Sequence, residues 1–548
     1  MKKLISLILA VLMAVTAFGS VGAFAAVSET DVCKIGDTGY ATLEAAINEA
    51  EPGATITLLK ETTMGTVTLA KNITIEGDGN TITSSATNTG FFVLNPSQLT
   101  IKDCKLVSTA ALPENGSYFA FNNASSKLSL ENCELSITTA SGHAKSAIVY
   151  SNKIAVNVNF KNVKADIHET APNVMFLYNF AGGTVVLNGN TSVTSASPTS
   201  MINGSVGIGV DFNMTLNDTA VMESFGGNNT MYVSGAATGT AALSSRGKVN
   251  LTMNGDSRIY AFKTCVGLHG TSAKHANITL NDTARIHTKV TGDNFKSNNG
   301  YAVRLDATTA TIVINDEASI TTNLSSQPAM RIDGAAVDIH LNSSAKALKV
   351  GAGFTCYAPV MNGAEMRIDE SSYGLRFSST FTWQRSTTMT QTYGTIIAKA
   401  DSIGNVDFTK EDLTEASVKF VDIPCVEGYE DDAETGRTFN AALVNIKEAN
   451  YGVEFAARSY VEYSTTENMN KNVTVTCYST VCTATPADVA FEQLADVKDA
   501  SEVGYRNAVD SYPVLNTETN VYAWTDGTKY SKLSDAQYVE VSAFTGKK

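Results

Sequence analysis

A short phrase recurs ten times between residues 73 and 342: two apolar residues separated by one residue, followed by a polar turn. Successive phrases lie 26 to 37 residues apart, a period typical of a solenoid with insertions in its loops. The second apolar residues of the phrases are Ile75, Ile101, Leu130, Phe160, Leu187, Leu216, Met253, Leu280, Ile314 and Leu341. A unit of about 27 to 30 residues accommodates three short strands and three turns. The repeat therefore predicts a right-handed parallel β-helix of about ten coils.

One amphipathic helix is predicted ahead of these strands. Thr42 is suited to cap its N-terminus, the apolar residues of 43–50 fall on one face, and Pro52 ends it. Such a helix would cover the open end of the β-helix, where an exposed sheet invites aggregation. The predicted fold class is mainly β: a parallel β-helix with an N-terminal helical cap, followed by a β-rich α+β C-terminal domain.

The first 25 residues have the features of a secretory signal peptide. Lys2 and Lys3 precede an apolar run over 4–18, and small residues stand ahead of Ala26. The net charge of -14 at pH 7 disfavours nucleic acid and anionic lipid as partners. No later stretch is long and apolar enough to cross a bilayer. The sequence thus predicts a secreted or cell-surface protein without membrane insertion, and leaves its oligomeric state open.

The sequence pattern and composition of the chain change near residue 362. The repeat stops there, and 12 of the 20 tyrosines and both tryptophans follow. Alternating apolar residues in this part predict strands. The predicted organisation is a signal peptide, an N-terminal segment with the capping helix, the β-helix and a β-rich accessory domain, over residues 1–25, 26–53, 54–361 and 362–548.

Several stretches carry a family resemblance. The opening Gly39-Tyr-Ala-Thr-Leu-Glu-Ala-Ala-Ile and the phrase Asn72-Ile-Thr-Ile-Glu-Gly-Asp-Gly-Asn-Thr-Ile resemble the start of pectate-lyase-like β-helix proteins, above all the secreted and surface members common in Gram-positive anaerobes. Gly374-Leu-Arg-Phe377 and Phe455-Ala-Ala-Arg-Ser-Tyr460 are similar to an accessory module of secreted clostridial proteins whose function is unsettled. The first resemblance covers about residues 33–350 and implies a fold, not an activity.

Arginine and aspartate recur together in two neighbouring repeats. Arg304-Leu-Asp306 and Arg331-Ile-Asp333 are 27 residues apart, so their side chains are predicted to stack on one face of adjacent coils. A guanidinium beside carboxylates could hold an acidic sugar or polarise a proton donor. The simpler interpretation is an ion-pair ladder between coils that adds little stability. These four are the only catalytic candidates, because the motifs of sugar-cleaving β-helix enzymes are missing.

Asparagine follows the phrase in the last six repeats, at Asn188, Asn217, Asn254, Asn281, Asn315 and Asn342. Asparagine tolerates the left-handed backbone of a sharp corner, and stacked amides can hydrogen-bond to one another. We interpret this set as turn geometry and not as a binding site.

Four aromatic residues of the last domain are candidates for stacking on sugars: Trp383, Tyr393, Tyr429 and Trp524. Each of them could instead belong to the core of that domain, because strand alternation alone does not decide. Arg458 is interpreted as an internal ion-pair partner and not as a ligand contact.

Oxygen-bearing residues alternate at Glu76, Asp78 and Asn80, as they do in calcium loops. The glycine at the sixth position is missing, and Thr87 stands in place of the closing acid. A turn is therefore the preferred interpretation, with calcium as the alternative. No other metal or cofactor is expected.

Eight cysteines in an exported chain permit disulfides. Cys477 and Cys482 are the candidate pair for one. Cys104 and Cys133 occupy the same position in two successive repeats, and we expect them to stack as free thiols and not as a bond.

Three functions fit this sequence. The favoured one is non-catalytic and adhesin-like: binding of a polysaccharide, a surface glycoconjugate or another surface protein. The alternatives are a polysaccharide lyase or glycoside hydrolase acting on an acidic polysaccharide through the Arg304 to Asp333 face, and a structural spacer. Coplanar exposed aromatic rings would favour the binder, and carboxylates about 5 to 10 Å apart in a groove would favour the enzyme.

Overall fold

The computed structural model describes residues 27–86, 89–108, 116–137, 146–151, 153–168, 174–179, 181–197, 199–204, 206, 209–225, 230–233, 247–269, 275–289, 300–306, 309–324, 328–333, 337–342, 347–350, 354–367, 374–383, 389–425, 436–446, 450, 452–465, 473–486, 488–489, 514–516 and 521–523. The predicted signal peptide lies outside these residues. The chain forms two compact units. Unit 1 contains the described residues of Met1–Lys274 and Ala284–Ala302, and unit 2 those of His275–Thr283 and Val303–Lys548.

The fold is mainly β and contains a parallel β-solenoid of about seven turns. The predicted fold class is therefore confirmed, with fewer turns than the ten coils expected. Among the described residues, no helix has the length and apolar character needed to cross a bilayer.

Unit 1 begins with two short strands and the capping helix. Strands β1 (Cys33–Ile35) and β2 (Thr38–Tyr40) are antiparallel, and helix α1 (Leu43–Glu49) follows. The Thr42 hydroxyl accepts a hydrogen bond from the backbone N–H of Ala45 at 3.1 Å. Leu43, Ala46 and Ile47 are buried. The predicted cap residue and apolar face of this helix are thus confirmed.

Three parallel sheets form the body of unit 1. Sheet A contains β3 (Ala54–Leu58), β6 (Ile73–Glu76), β9 (Gln98–Lys102), β12 (Lys127–Glu131), β15 (Val156–Lys161), β18 (Gly183–Asn188), β21 (Phe212–Leu216) and β24 (Val249–Met253). Sheet B contains β4 (Thr62–Met64), β7 (Thr81–Ser84), β10 (Lys105–Ser108), β13 (Glu134–Ile137), β16 (Lys164–Ile167), β19 (Ser192–Ser195), β22 (Val221–Ser224), β25 (Arg258–Ala261) and β28 (Arg285–Thr288). Sheet C contains β5 (Val67–Leu69), β8 (Thr89–Leu94), β11 (Ser117–Phe121), β14 (Ser146–Ser151), β17 (Val174–Asn179), β20 (Ile202–Gly204), β23 (Met231–Val233) and β26 (Val266–His269).

The phrases of the repeat are the strands of sheet A, and their apolar residues fill the interior. Ile73 pairs with Leu99 and Ile75 with Ile101 on the next strand, and all four are buried. Because side chains alternate between the two faces of a strand, the residues between them face outward. The predicted inward set is therefore confirmed for this sheet.

A ladder of asparagine amides lies at the corner that follows the last three strands of sheet A. Asn217 donates to Asn188 and Asn254 donates to Asn217, each at 2.7 Å from amide nitrogen to amide oxygen. The backbone enters the left-handed region one residue later, at Asp218 and Gly255. The predicted stacking of amides is confirmed, whereas the left-handed corner belongs to the following residue. In the calcium-loop candidate, the backbone turns one residue further along, with Asp78 and Gly79 in the left-handed region.

Unit 2 contains a sheet in which the last part of the chain pairs with strands of the repeat. Its strands are β27 (Ala276–Leu280), β30 (Ala310–Ile314), β33 (Val337–Leu341), β38 (Met389–Lys399), β39 (Phe420–Pro424), β41 (Phe455–Thr465), β42 (Val473–Tyr478) and β43 (Cys482–Ala484). β42 runs parallel to β33, with Ile339 opposite Val475, and antiparallel to β41. The predicted boundary between 361 and 362 remains a prediction.

The other elements of unit 2 are short. Strands β29 (Val303–Asp306), β32 (Met330–Asp333), β34 (Ala347–Val350) and β35 (Phe354–Tyr357) form one sheet, and β36 (Val360–Arg367), β37 (Gly374–Phe381) and β40 (Arg437–Val444) another. The remaining ones are β31 (Ser319–Thr322), the pair β44 (Val514–Asn516) and β45 (Val521–Ala523), and helices α2 (Ala400–Ile403) and α3 (Lys410–Glu415).

Arg458 ends a second asparagine ladder within unit 2. Asn315 donates to Asn281 at 2.7 Å and Asn342 donates to Asn315 at 2.6 Å.

The buried guanidinium of Arg458 donates to the amide oxygen of Asn342 at 2.8 Å. It also donates to the carbonyls of Ser479 and Phe408, at 2.8 and 3.2 Å. Burial lowers the pKa of Arg458 to about 10, so it stays charged at neutral pH. Arg458 is internal, as expected, but it binds neutral oxygens instead of a carboxylate.

Candidate ligand-binding site

The two arginine-aspartate motifs lie on paired strands, in the register expected from their spacing. Arg304 stands opposite Arg331 and Asp306 opposite Asp333. Arg304 donates to the carboxylate of Asp306 on its own strand, with distances of 3.1 Å from Nε and 2.9 Å from Nη2. The side chain of Asp333 lies outside the described part of the structure. The Asp306 charge is thus held by a two-point ion pair within one strand, whereas the predicted ladder between coils stays a prediction.

Trp383 and Tyr393 belong to one aromatic cluster of unit 2. The ring of Tyr393 lies 4.7 Å from that of Phe381 and 5.2 Å from that of Phe439, and both phenylalanines are buried. Trp383 is 36% exposed, and the guanidinium carbon of Arg437 stands 3.5 Å above its ring. Trp383 can therefore meet a ligand only beside a cation that already occupies one ring face. Tyr429 and Trp524 lie outside the described residues.

A larger group of aromatic and charged side chains, not anticipated from the sequence, covers the outside of sheet B in unit 1. On β22, β25 and β28, Met222, Ile259 and Ile286 are buried, so their neighbours point outward. Glu223, Tyr260 and His287 form one row in register, and Val221, Arg258 and Arg285 form another. We name this surface the aromatic-cationic face; its residues are Glu223, Phe225, Arg258, Tyr260, Phe262, Arg285, His287 and Lys289.

Backbone pairing continues just beyond these strands and sets a third row on the face. Phe262 N–H donates to the carbonyl of Ser224 at 3.2 Å, and Lys289 N–H donates to that of Ala261 at 2.8 Å. The rings of Phe225 and Phe262 meet edge to face at 5.6 Å, and Phe225 is 42% exposed. A large apolar ring is therefore presented to solvent from a rigid part of the fold.

Lys289 connects the charged and aromatic parts of this face. Its ammonium nitrogen lies 3.3 Å from a carboxylate oxygen of Glu223, and 4.6 Å from the centre of the Tyr260 ring. Tyr260 in turn meets the His287 ring edge to face at 5.9 Å. These contacts fix the orientation of the central rings before any ligand arrives, which reduces the entropy lost on binding.

The electrostatics of the aromatic-cationic face differ from those of the whole chain. Arg258, Arg285 and Lys289 bring three cations to the face. Asp256 is paired with Arg258 and Glu223 with Lys289, so the local balance is slightly positive in a protein whose net charge is -14. Burial lowers the pKa of His287, and the nearby charges of Lys289 and Arg285 lower it further. His287 is therefore neutral at pH 7, and its ring can donate or accept a hydrogen bond.

A signal for this face was present in the repeat. Glu223, Tyr260 and His287 each stand seven residues after the second apolar residue of their phrase, at Leu216, Met253 and Leu280. When the repeats are aligned on that residue, Glu223, Tyr260 and His287 fall at one position of the repeat. The two arginine-aspartate motifs likewise share one position. The aromatic candidates predicted from the sequence all belong to the last domain and do not include Tyr260.

The cysteine predictions have mixed outcomes. Cys104 and Cys133 are free and buried, as expected. Cys477 and Cys482 are also free, so the disulfide predicted between them is not formed. Their partners on β41 are Val461 and Ala457, four residues apart along one strand. That separation is about 13 Å at ~3.3 Å per residue, beyond the reach of a disulfide.

No protein-family model and no curated protein matches this chain.

Proposed function

We propose that this chain is a secreted or cell-surface bacterial protein that binds glycans without cleaving them, in the manner of an adhesin, and that the aromatic-cationic face is its binding surface. The family proposed for it is the pectate-lyase-like β-helix group of Gram-positive anaerobes, with a C-terminal accessory module of the clostridial type. The parallel solenoid and the quoted sequence resemblance support that assignment.

The observation that carries the binding proposal is the exposed Phe225 ring beside Phe262, Tyr260 and His287 on one sheet face. The Phe225–Phe262 and Tyr260–His287 pairs meet edge to face, so they do not form the coplanar arrangement that was expected of a binder from the sequence. Sugar rings have apolar C–H faces that pack on aromatic side chains, and hydroxyl groups that need hydrogen-bond partners. The face offers both kinds of contact within three neighbouring strands, at a spacing of about 4.8 Å per strand. An extended polysaccharide lying across the strands would meet several of these groups in succession.

The charge arrangement favours binding over cleavage. Glycoside hydrolysis uses two carboxyl groups that flank the scissile bond. The carboxylate of the face, Glu223, is engaged by Lys289 at 3.3 Å, and the Asp306 carboxylate is engaged by Arg304. Both carboxylates are therefore already paired with a cation of the protein, which leaves them less available to a scissile bond.

The first test is a screen of the protein without its predicted signal peptide, residues 26–548, against plant, mucin and bacterial-wall polysaccharides. Retention on the polymer and release of reducing ends or unsaturated products are measured on the same samples. We expect retention on at least one polymer without product. Product that disappears in the Arg304→Ala and Asp306→Ala variants would replace the proposal with the enzymatic alternative. The absence of both retention and product would leave the structural spacer.

A further inference from the structure

Two buried thiols of unit 2 come from distant parts of the chain and meet inside the fold. Cys356 lies on β35 and Cys477 on β42, and both are fully buried. Strands β35 and β42 are in contact, and the Cys477 thiol contributes to a raised pKa of Cys356. The sequence predicted a bond between Cys477 and Cys482, whereas in the structure the neighbouring cysteine of Cys477 is Cys356.

The surrounding contacts hold these two strands together. Cys477 stands between Leu341 of β33 and Val461 of β41 in the large sheet of unit 2. The residue after Cys356 is fixed to β41 at two points, since the hydroxyl of Tyr463 accepts from Tyr357 N–H at 3.1 Å and donates to Tyr357 C=O at 3.0 Å. Backbone pairing thus places Cys477 beside β41, and the buried Tyr463 of β41 holds the residue next to Cys356 in the same region.

We propose that Cys356 and Cys477 form a disulfide when the chain folds in an oxidising compartment, and that this bond locks β42 to β35. The inference is independent of glycan binding. The closed loop spans residues 356–477, and a long loop removes much conformational entropy from the unfolded chain.

The chemistry is thiol-disulfide exchange with a small-molecule disulfide such as oxidised glutathione. The thiolate of one cysteine attacks that disulfide, forms a mixed disulfide and releases one glutathione thiol. The second protein thiolate attacks the protein sulfur of the mixed disulfide and releases the other glutathione. The two protein thiols lose two protons and two electrons, and the small disulfide is reduced to two thiols.

The burial of both groups sets the order of events. Burial and the neighbouring thiol raise the pKa of Cys356 well above its usual value, so in the folded protein very little of the reactive thiolate is present. Exchange must therefore take place before β35 and β42 close over the thiols. Once formed, the bond is shielded from soluble reductants.

The test compares the full chain refolded from the reduced, unfolded state with oxidised glutathione present and with reduced glutathione alone. Remaining thiols are alkylated in denaturant, and the protein is digested and mapped by mass spectrometry. The oxidised sample should contain one cross-linked peptide pair joining Cys356 to Cys477, two hydrogens lighter than the separate peptides. Its melting temperature should exceed that of the reduced sample by about 5 °C or more.

Cys482 provides a matched control. Cys482→Ser should keep the cross-link and the gain in melting temperature, and Cys477→Ser should lose both. Because a variant of a buried residue can fail to fold, wild-type protein exported to a bacterial periplasm is mapped in the same way. Alkylation of both Cys356 and Cys477 in oxidised and periplasmic protein, or a bond from Cys477 to any other cysteine, would overturn the proposal.

Discussion

The outer surface of sheet B changes character along its length. At one register position, the five strands from β7 to β19 present short side chains and the three from β22 to β28 present longer or aromatic ones. In chain order this row is Thr83, Val107, Ser136, Asp166, Thr194, Glu223, Tyr260 and His287. At this position the first five of these strands, which we call the plain half, carry what a solvated strand requires, whereas the last three strands, the altered half, exceed that requirement.

The inner surface of the same sheet does not change. The buried row beneath those residues is Ile82, Leu106, Leu135, Ala165, Val193, Met222, Ile259 and Ile286, all of them apolar. Packing constrains the inward row in every turn, but solvent places few demands on the outward row. A local departure from the plain outer pattern is therefore where a binding function is to be sought.

The largest expected effect of a substitution lies in the interior. Ile259→Ala should lower the free energy of unfolding by about 2 to 5 kcal/mol, because it removes buried methyl groups and leaves a cavity. Leu106→Ala, in the plain half of the sheet, is the matched control and should cost a similar amount. Chemical denaturation monitored by circular dichroism measures both. A loss below about 1 kcal/mol for Ile259→Ala alone would mean that the two halves have different interiors.

A smaller effect is expected at the centre of the aromatic-cationic face. Lys289→Met removes the contacts of the ammonium group with Glu223 and with the Tyr260 ring. Since Lys289 is 45% exposed, solvent screening should limit the loss to about 1 kcal/mol or less. The same denaturation measurement applies, repeated at high salt. A loss that does not shrink with salt would show that packing of the lysine stem dominates.

A still smaller change is expected from the arginine-aspartate pair. Asp306→Asn removes the charge that faces Arg304 but keeps the shape of the side chain. Its stability should change by about 0 to 1 kcal/mol, as for other ion pairs near the surface. Arg304→Lys, which keeps the charge and loses the two-point geometry, separates the contribution of charge from that of shape. A loss of several kcal/mol in either variant would give this pair a structural role that its exposure does not suggest.

The smallest expected effect is a pH dependence from His287. Its pKa is lowered in the folded protein by burial and by Lys289 and Arg285, relative to about 6.5 in an unfolded chain. Below about pH 6.5 the unfolded state therefore binds protons first, and stability should fall as the pH drops through the folded pKa. His287→Asn should lack this part of the pH dependence. An identical profile in the variant would show that other groups cause it.

Much of the fold could be predicted because the repeat encodes it directly. The spacing of Ile75, Ile101 and Leu130 identified successive strands of one parallel sheet, and Thr42 marked the start of the capping helix. These features rest on local pattern and on the alternation of strand side chains. The register of Arg304 with Arg331 followed from the same spacing.

Other features depended on contacts that no local pattern encodes. Cys477 was assigned to its near neighbour Cys482, but pairing along β41 separates the two, and the strand of Cys477 is in contact with that of Cys356 instead. The role of Arg458 at the end of the asparagine ladder required β42 to add to a strand of the repeat. The aromatic-cationic face escaped notice because its residues are scattered over 67 positions and come together only in the stacked turns.

The central claim, that the altered half of sheet B binds glycan, is tested most directly by two matched double variants. The first variant combines Phe225→Ala with Tyr260→Ala and removes two rings from the aromatic-cationic face. The second combines Val107→Ala with Ser136→Ala and changes the plain half of the same sheet. Retention of each variant on a polymer that holds the wild type is measured by affinity electrophoresis, with circular dichroism to verify folding. We expect the first to lose about tenfold or more in affinity, which is ~1.4 kcal/mol, and the second to match the wild type. Equal retention of both would contradict the claim.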